Sequence, residues 1–340
     1  MMKLSCCLRC VVTALAFLSL CGACRSGQGE TPDPENGGAS GDEIVSDTAL
    51  PPLTGKLVFH NYTSYDAEDA VLYLYDFAEN RLTALSRDWT VVRHPMNGHF
   101  SPDGKRLVFM GIGAATGSWD IFLYDLEKGG EPVNLTPDGR YRDEDPKFSF
   151  DGTSIAFKRN DRLARIAVAT GALEILSEND GGKDPYSMPY YSTDGSRLVF
   201  GGGAGSSAYI GCWDLRSASV SILVDRPGIT DYYPITLDEE AFYFSSHYSA
   251  TNPCDQLYKG FWSGAEPVRL AFNRSDADYS DAFPVGKGWL FLVSTRRGGK
   301  GGYDLYIAHE TSGAIYSLDQ YNLSLNTSKN ELGPAYCAVR

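Results

Sequence analysis

Five histidines stand in this chain of 340 residues, and four of them fall where side chains could act together. His60 and His247 end apolar β runs, while His94 and His99 share one short segment, RHPMNGH at 93–99. Imidazole gains and loses its proton near neutral pH and is a common transition-metal ligand. A cluster of this kind could therefore form an acid–base pair or a metal site. His60, His94, His99 and His247 belong to three different units of the chain, however. Ordinary hydrogen bonding is the plainer expectation for each of them. His309 lies inside an apolar strand and reads as structural.

Acids and tyrosines form the second set. They recur in RDEDP (142–146), KDPYSMPYY (183–191), TDYYP (230–234) and DADYSD (276–281). The candidate binding residues are Asn97, Asp143, Asp145, Tyr186, Asp231, Tyr232, Tyr233, Asp278, Tyr279 and Asp281. Tyrosine offers an amphipathic face for a sugar ring or a protein interface, and carboxylates accept from hydroxyls or hold cations. Any single member could equally cap a strand end and bind water.

These residues are spaced by a repeat. The turns SPDG (101–104), SFDG (149–152) and STDG (192–195) place Asp103, Asp151 and Asp194 at separations of 48 and 43 residues. Each turn leads into a short apolar run: LVF at 107–109, IAF at 155–157, LVF at 198–200. A second run with Asp and Tyr follows, such as DIFLYDL at 120–126, and then a polar run such as EPVNLT at 131–136. A period of about 45 residues with about four short strands per unit is the pattern of a β-propeller blade. Buried strands read as near-continuous apolar runs bounded by turn residues. Six units fit, starting near residues 55, 91, 141, 184, 229 and 276. The first lacks an inner strand, and residues 332–339 are left over to supply it and close the ring. In a propeller the acidic-aromatic segments feed the inner strands, so their side chains should ring the channel mouth, where loops over a rigid scaffold carry function.

The segments FSPDGKRLVF (100–109), WDIFLYDL (119–126), PKFSFDGTSIAF (146–157) and STRRGGKGGYDLYIA (294–308) resemble the TolB-like six-bladed propeller family. The resemblance covers residues 55–340 and implies an all-β, six-bladed propeller. It implies little about function, since related propellers bind proteins or sugars and some act as lyases. The fifth and sixth units depart from the turn pattern at Leu237-Asp238-Glu239 and Val285-Gly286-Lys287. Under the lyase alternative, β-elimination on a uronic-acid glycan needs a base, an acid and a positive charge on the substrate carboxylate. His94 or His99 would be the base, Tyr190 or Tyr233 the acid and Arg142 the neutraliser. Asp143, Glu144 and Asp145 would repel such a substrate unless a divalent cation bridged them. The expected function is a non-catalytic binding module for a protein or glycan, with no cofactor beyond such a cation.

Several motifs are discounted. Gly111-Ile112-Gly113 and Gly201-Gly202-Gly203 are expected as loops between strands, since neither leads into a helix that could hold a phosphate. Asp120, Asp255 and Asp304 open third strands and are expected to bond local backbone. Arg296-Arg297 before Gly298-Gly299 is expected as a structural loop, with an arginine bracing the adjacent blade.

The N-terminus reads as a targeting segment: Lys3 and Arg9 precede an apolar stretch at 11–20 that is too short to span a bilayer. Leu20-Cys21-Gly22-Ala23-Cys24 resembles a bacterial lipobox, with cleavage before Cys24 and lipid on its sulfur. The expected organisation is a signal peptide at 1–23, a lipid-anchored tether at 24–50 and a propeller at 51–340. The tether is rich in Gly, Pro, Glu, Asp and Ser and too poor in apolar residues to fold. About 25 such residues would hold the propeller roughly 25–30 Å from its anchor. The expected site is the bacterial cell envelope, with the lipid as the sole membrane contact and the chain a monomer. The net charge is −13, and the chain after the signal segment is two charges more negative. No basic stripe exists to neutralise phosphates, which excludes a nucleic-acid partner. Of 8 cysteines, five lie in the first 24 residues. Among Cys212, Cys254 and Cys337, a Cys212–Cys254 bridge is conceivable in an oxidising compartment, but buried apolar thiols fit the strand positions better.

Overall fold

The structure, a computed structural model, describes residues 49–177 and 185–338. The signal segment, Cys24 and the tether as far as residue 48 lie outside the described residues. No helix among the described residues is long and apolar enough to cross a membrane.

Six four-stranded antiparallel sheets form the blades. Blade two runs from inside to outside as Val92–Phe100, Arg106–Gly113, Trp119–Asp125 and Val133–Asn134. Blades three, four, five and six repeat the order from inner strands Asp143–Phe148, Tyr186–Tyr191, Asp231–Thr236 and Tyr279–Gly286. Inner strands touch their neighbours in cyclic order, and the ring closes through blade one. There the chain's last strand, Asn330–Cys337, pairs with Lys56–Tyr62, which continues outward to Val71–Asp76 and Arg81–Ala84. The leftover terminal segment thus fills the missing inner position.

The second strand of each blade is sandwiched between neighbouring blades. Its central triplet is accordingly shut from water: Leu57, Val58 and Phe59 in blade one, and Phe242, Tyr243 and Phe244 in blade five, are at most 1% exposed. Burial of such side chains stabilises by about 1.5–3 kcal/mol each and is the main force holding blade to blade. The recurring turns work by one device. Ser101, Ser149 and Ser192 each donate Oγ–H to the Asp two residues on, at 2.5–2.6 Å. That Asp accepts the backbone N–H two residues further. The following Gly takes φ of 68–70°, which glycine adopts without steric cost.

Two expectations change. Gly111 and Gly113, and Gly201 and Gly202, lie within second strands rather than loops. The cause is close packing: a Cβ on Gly111 would sit 2.4 Å from Val92, and one on Gly202 2.4 Å from the Tyr209 ring. Arg296 lies over Tyr306 of its own blade, 5.5 Å from the ring centroid. Cys212 is a free buried thiol on the third strand of blade four, its pKa raised by burial.

Closure rests on Tyr336. Its hydroxyl accepts from Gly55 N–H at 3.2 Å, and its ring packs edge-on to Phe291 and Phe77. Tyr336→Ala should cost about 2–4 kcal/mol, somewhat under the roughly 3–5 kcal/mol of deleting a fully packed aromatic ring, because Tyr336 is only half-buried. A urea melt with an unchanged midpoint would show that the last strand does not secure the ring.

Candidate functional site

The acidic-aromatic segments turn out to be the inner strands themselves, and each strand bends at one equivalent place. Asn97, Asp145, Met188, Tyr233, Asp281 and Gly333 all adopt left-handed backbone, with φ between 52° and 60°. At each, the pairing with the next strand skips two residues. These are β-bulges, which leave residues unpaired and re-aim their side chains. Four of the six precede proline (Pro146, Pro189, Pro234, Pro334), which loses nothing where no ladder N–H is needed. Asn, Asp and Gly tolerate this backbone, whereas for Met188 and Tyr233 it costs on the order of 1 kcal/mol or more. His94 takes the same backbone in an additional bulge of blade two.

The six bulges surround a cavity of about 150 Å³ at one end of the channel. Asn97, Asp145, Met188, Tyr233 and Asp281 line it, with Tyr232, Tyr62, His60, Met96 and Leu332. Asn97 Nδ2 donates to Asp145 Oδ1 at 2.9 Å. Gly333 N–H donates to Asp281 Oδ2 at 2.9 Å, and Ser280 Oγ donates to its Oδ1 at 3.3 Å. Burial raises the pKa of both carboxyls. Two residues along the same strand as Asp145 lies Lys147, only 6% exposed, its pKa lowered by burial against the pull of Asp145 and Asp281. Burial also raises the Tyr233 hydroxyl well above the usual phenol range, with Asp281 and Asp145 adding to the effect.

His60 accepts the Asn97 N–H on Nδ1 at 3.4 Å, so its proton sits on Nε2, which is buried without a partner. Burial lowers its pKa to about 3, with nearby His94 contributing. His99 accepts Phe148 N–H on Nδ1 and so donates from Nε2 to Tyr190 Oη at 2.9 Å. Neither His99 nor Tyr190 is on the cavity wall. His94 accepts Ala70 N–H on Nδ1 at 3.0 Å and lies edge-on to Tyr65 and Trp119. His247 lies 3.8 Å from Asp255, away from the other three. No group of three or more His, Cys, Asp or Glu side chains able to hold a metal occurs among the described residues.

Other sequence candidates serve the scaffold. Asp143 holds Arg159 through both oxygens at 2.7–2.8 Å, and the guanidinium lies over Tyr141. Asp231 is clamped by Arg226. Asp278 accepts Asp255 N–H at 2.9 Å. Tyr186 packs on Phe200, and Tyr279 is fully buried. Arg142 is tied to Glu144 and Tyr65 and lies over Trp119. Asp255 departs from its expected backbone role: its Oδ2 accepts the Tyr232 hydroxyl at 2.6 Å. Lys147, Met188 and Gly333 were missed. Met188 could have been found by counting, because the bulge residue stands four before the turn serine in Asn97/Ser101, Asp145/Ser149 and Met188/Ser192; no such signal marks Lys147 or Gly333.

No family model matches the chain, and no curated protein matches it in sequence. Solved structures do. TolB from Acinetobacter baumannii gives a TM-score of 0.64 at 19% identity, over 84% of this chain and 67% of that one. A protein assigned as a TolB from Agrobacterium tumefaciens gives 0.55 at 14% identity, over 78% and 89%. A chain of a nidogen/laminin complex gives 0.59 at 8% identity, over 84% and 99%. At these identities the likeness is one of fold, that of a six-bladed propeller.

Burial raises the Asp255 carboxyl from 3.8 to about 8, with Asp278 and Asp281 adding and the Tyr232 bond opposing. In that window the folded chain holds a proton that the unfolded chain has released. Stability should therefore fall as pH rises from about 4 to 8, by up to about 1.4 kcal/mol per unit. His60 acts the other way: below 6.5 the unfolded chain takes a proton that the folded chain refuses until about 3, so stability falls as pH falls. Asp255→Asn should flatten the loss between pH 6 and 8 in thermal melts. An unaltered slope would assign that titration to another group.

Proposed function

We propose that the chain is a non-catalytic binding module of the bacterial cell envelope, holding a protein or glycan partner at the mouth of its channel. The observation that carries this reading is the ring of six left-handed residues around one cavity, whose largely apolar wall carries Asn97, Asp145, Tyr233 and Asp281. Backbone strain of this kind persists only where the surrounding structure enforces it, and it gathers at functional sites. Concave sites with a few convergent polar groups are where ligands bind. The presence of a like-folded chain in a nidogen/laminin complex supports a protein partner in particular. The domain plan goes with it: a signal peptide at 1–23, a tether at 24–50 lipidated on Cys24, and the propeller beyond.

The lyase alternative gains no support from the geometry. His94 and His99 each spend Nδ1 on a backbone N–H, neither lines the cavity, and Arg142 is already neutralised by Glu144.

Two experiments test the proposal. Asp145→Asn combined with Asp281→Asn should abolish capture of a partner from envelope extract, while Glu266→Gln on the exposed surface should not. Retained capture by the double variant, with an unchanged near-ultraviolet spectrum, would remove the cavity from the function. Cys24→Ser should move the protein from the membrane to the soluble fraction, and persistence in the membrane would refute the lipid anchor.

A further inference from the structure

We propose that the channel-mouth cavity is a seat for one basic side chain, a lysine-type ammonium presented by a protein partner. This rests on the binding-module reading and gives its site a chemistry.

Asp145 and Asp281 belong to blades three and six, which stand opposite one another in a ring of six. Between them the cavity holds about 150 Å³, roughly five water volumes. That is room for the methylenes and ammonium of a lysine. Met96, Met188 and Leu332 supply apolar wall for the stem, and Tyr62 and Tyr232 supply rings that favour a cation. Lys147 is the one buried ammonium that acts on both carboxylates, and Lys158, which also acts on Asp145, is paired with Glu144.

An independent observation comes from Tyr233. It is nine-tenths buried, held in left-handed backbone, and lines the cavity. Its hydroxyl has no hydrogen-bond partner among the described residues, although Asp281 and Asp145 both act on it electrostatically. A donor entering between the carboxylates would supply what that oxygen lacks. A divalent cation fits less well. Calcium takes six to eight oxygens, and the described residues bring no three candidate ligands together.

The test is calorimetric titration of the full mature chain at constant ionic strength with n-butylammonium chloride, glucosamine hydrochloride and calcium chloride. Saturable butylammonium binding is expected, weakened at least about tenfold in Asp145→Asn with Asp281→Asn, as when one member of a close charge pair is removed. Asparagine tolerates the left-handed backbone, so both substitutions keep the bulges. Tighter binding of calcium or glucosamine, no saturable butylammonium binding, or equal affinity in the double variant would each overturn the seat. The two proposals fail separately. Partner capture that depends on the carboxylates without butylammonium binding sinks the seat alone. Butylammonium binding with capture intact in the double variant keeps the cation site but moves partner capture away from the channel mouth, which sinks the proposed site of the binding module alone.

Discussion

Everything in this molecule depends on one pairing between the two ends of the propeller. Lys56–Tyr62 is the second strand of blade one, and only Asn330–Cys337 can cover its inner edge. Six blades pack face to face around a channel, so each relies on both neighbours for the burial of its apolar triplet. Were the last strand absent, the inner edge of blade one would present unpaired N–H and C=O groups, and the channel wall would lose a sixth of its circumference. The close approach at Gly55, where a Cβ would fall 2.2 Å from the Cys337 carbonyl, shows how tightly the seam is drawn.

A closed ring can afford local distortion. The inner strands give up ladder pairs at six bulges and place non-glycine residues in left-handed backbone at five of them. The result is a wall that turns carboxylates, a phenol and an amide toward the axis, in a place too dry to solvate them fully. The perturbed groups follow from that dryness. Carboxyls and phenols shift up and imidazoles shift down, because burial disfavours the charged form of each. His60, His94 and His99, which looked the most reactive in isolation, each spend Nδ1 on a backbone N–H.

The fold was legible because its signals are local and repeated. The SPDG-type turns, the apolar triplets and the unpaired first unit together specify a six-bladed ring with terminal closure. Blades five and six lack the turn motif, yet Phe242–Phe244 and Leu290–Leu292 still mark their second strands. The site was only half legible. Asn97, Asp145, Tyr233 and Asp281 lie on the cavity wall, but Asp143, Asp231 and Asp278, of the same composition and a few residues away, serve the scaffold. Strands alternate their faces, and a bulge resets the alternation, so composition alone cannot say which acid points inward. Gly111, Gly113, Gly201 and Gly202 misled for a related reason: they lie in second strands, where Gly111 and Gly202 relieve crowding, while Gly203 stands in the expected loop.

The placement of Gly333 has a consequence for geometry of approach. Two carboxylates facing each other across the axis would, on their own, let a visitor seat equally well after a half-turn. The ring breaks that degeneracy. On one side of the line joining Asp145 and Asp281 stand the bulky Met188 and Tyr233, and on the other stand Asn97 and the bare Gly333, with His60 filling the space beside it. A partner docking on this face, as proposed, would meet a notch with a single azimuth and seat in one rotational setting.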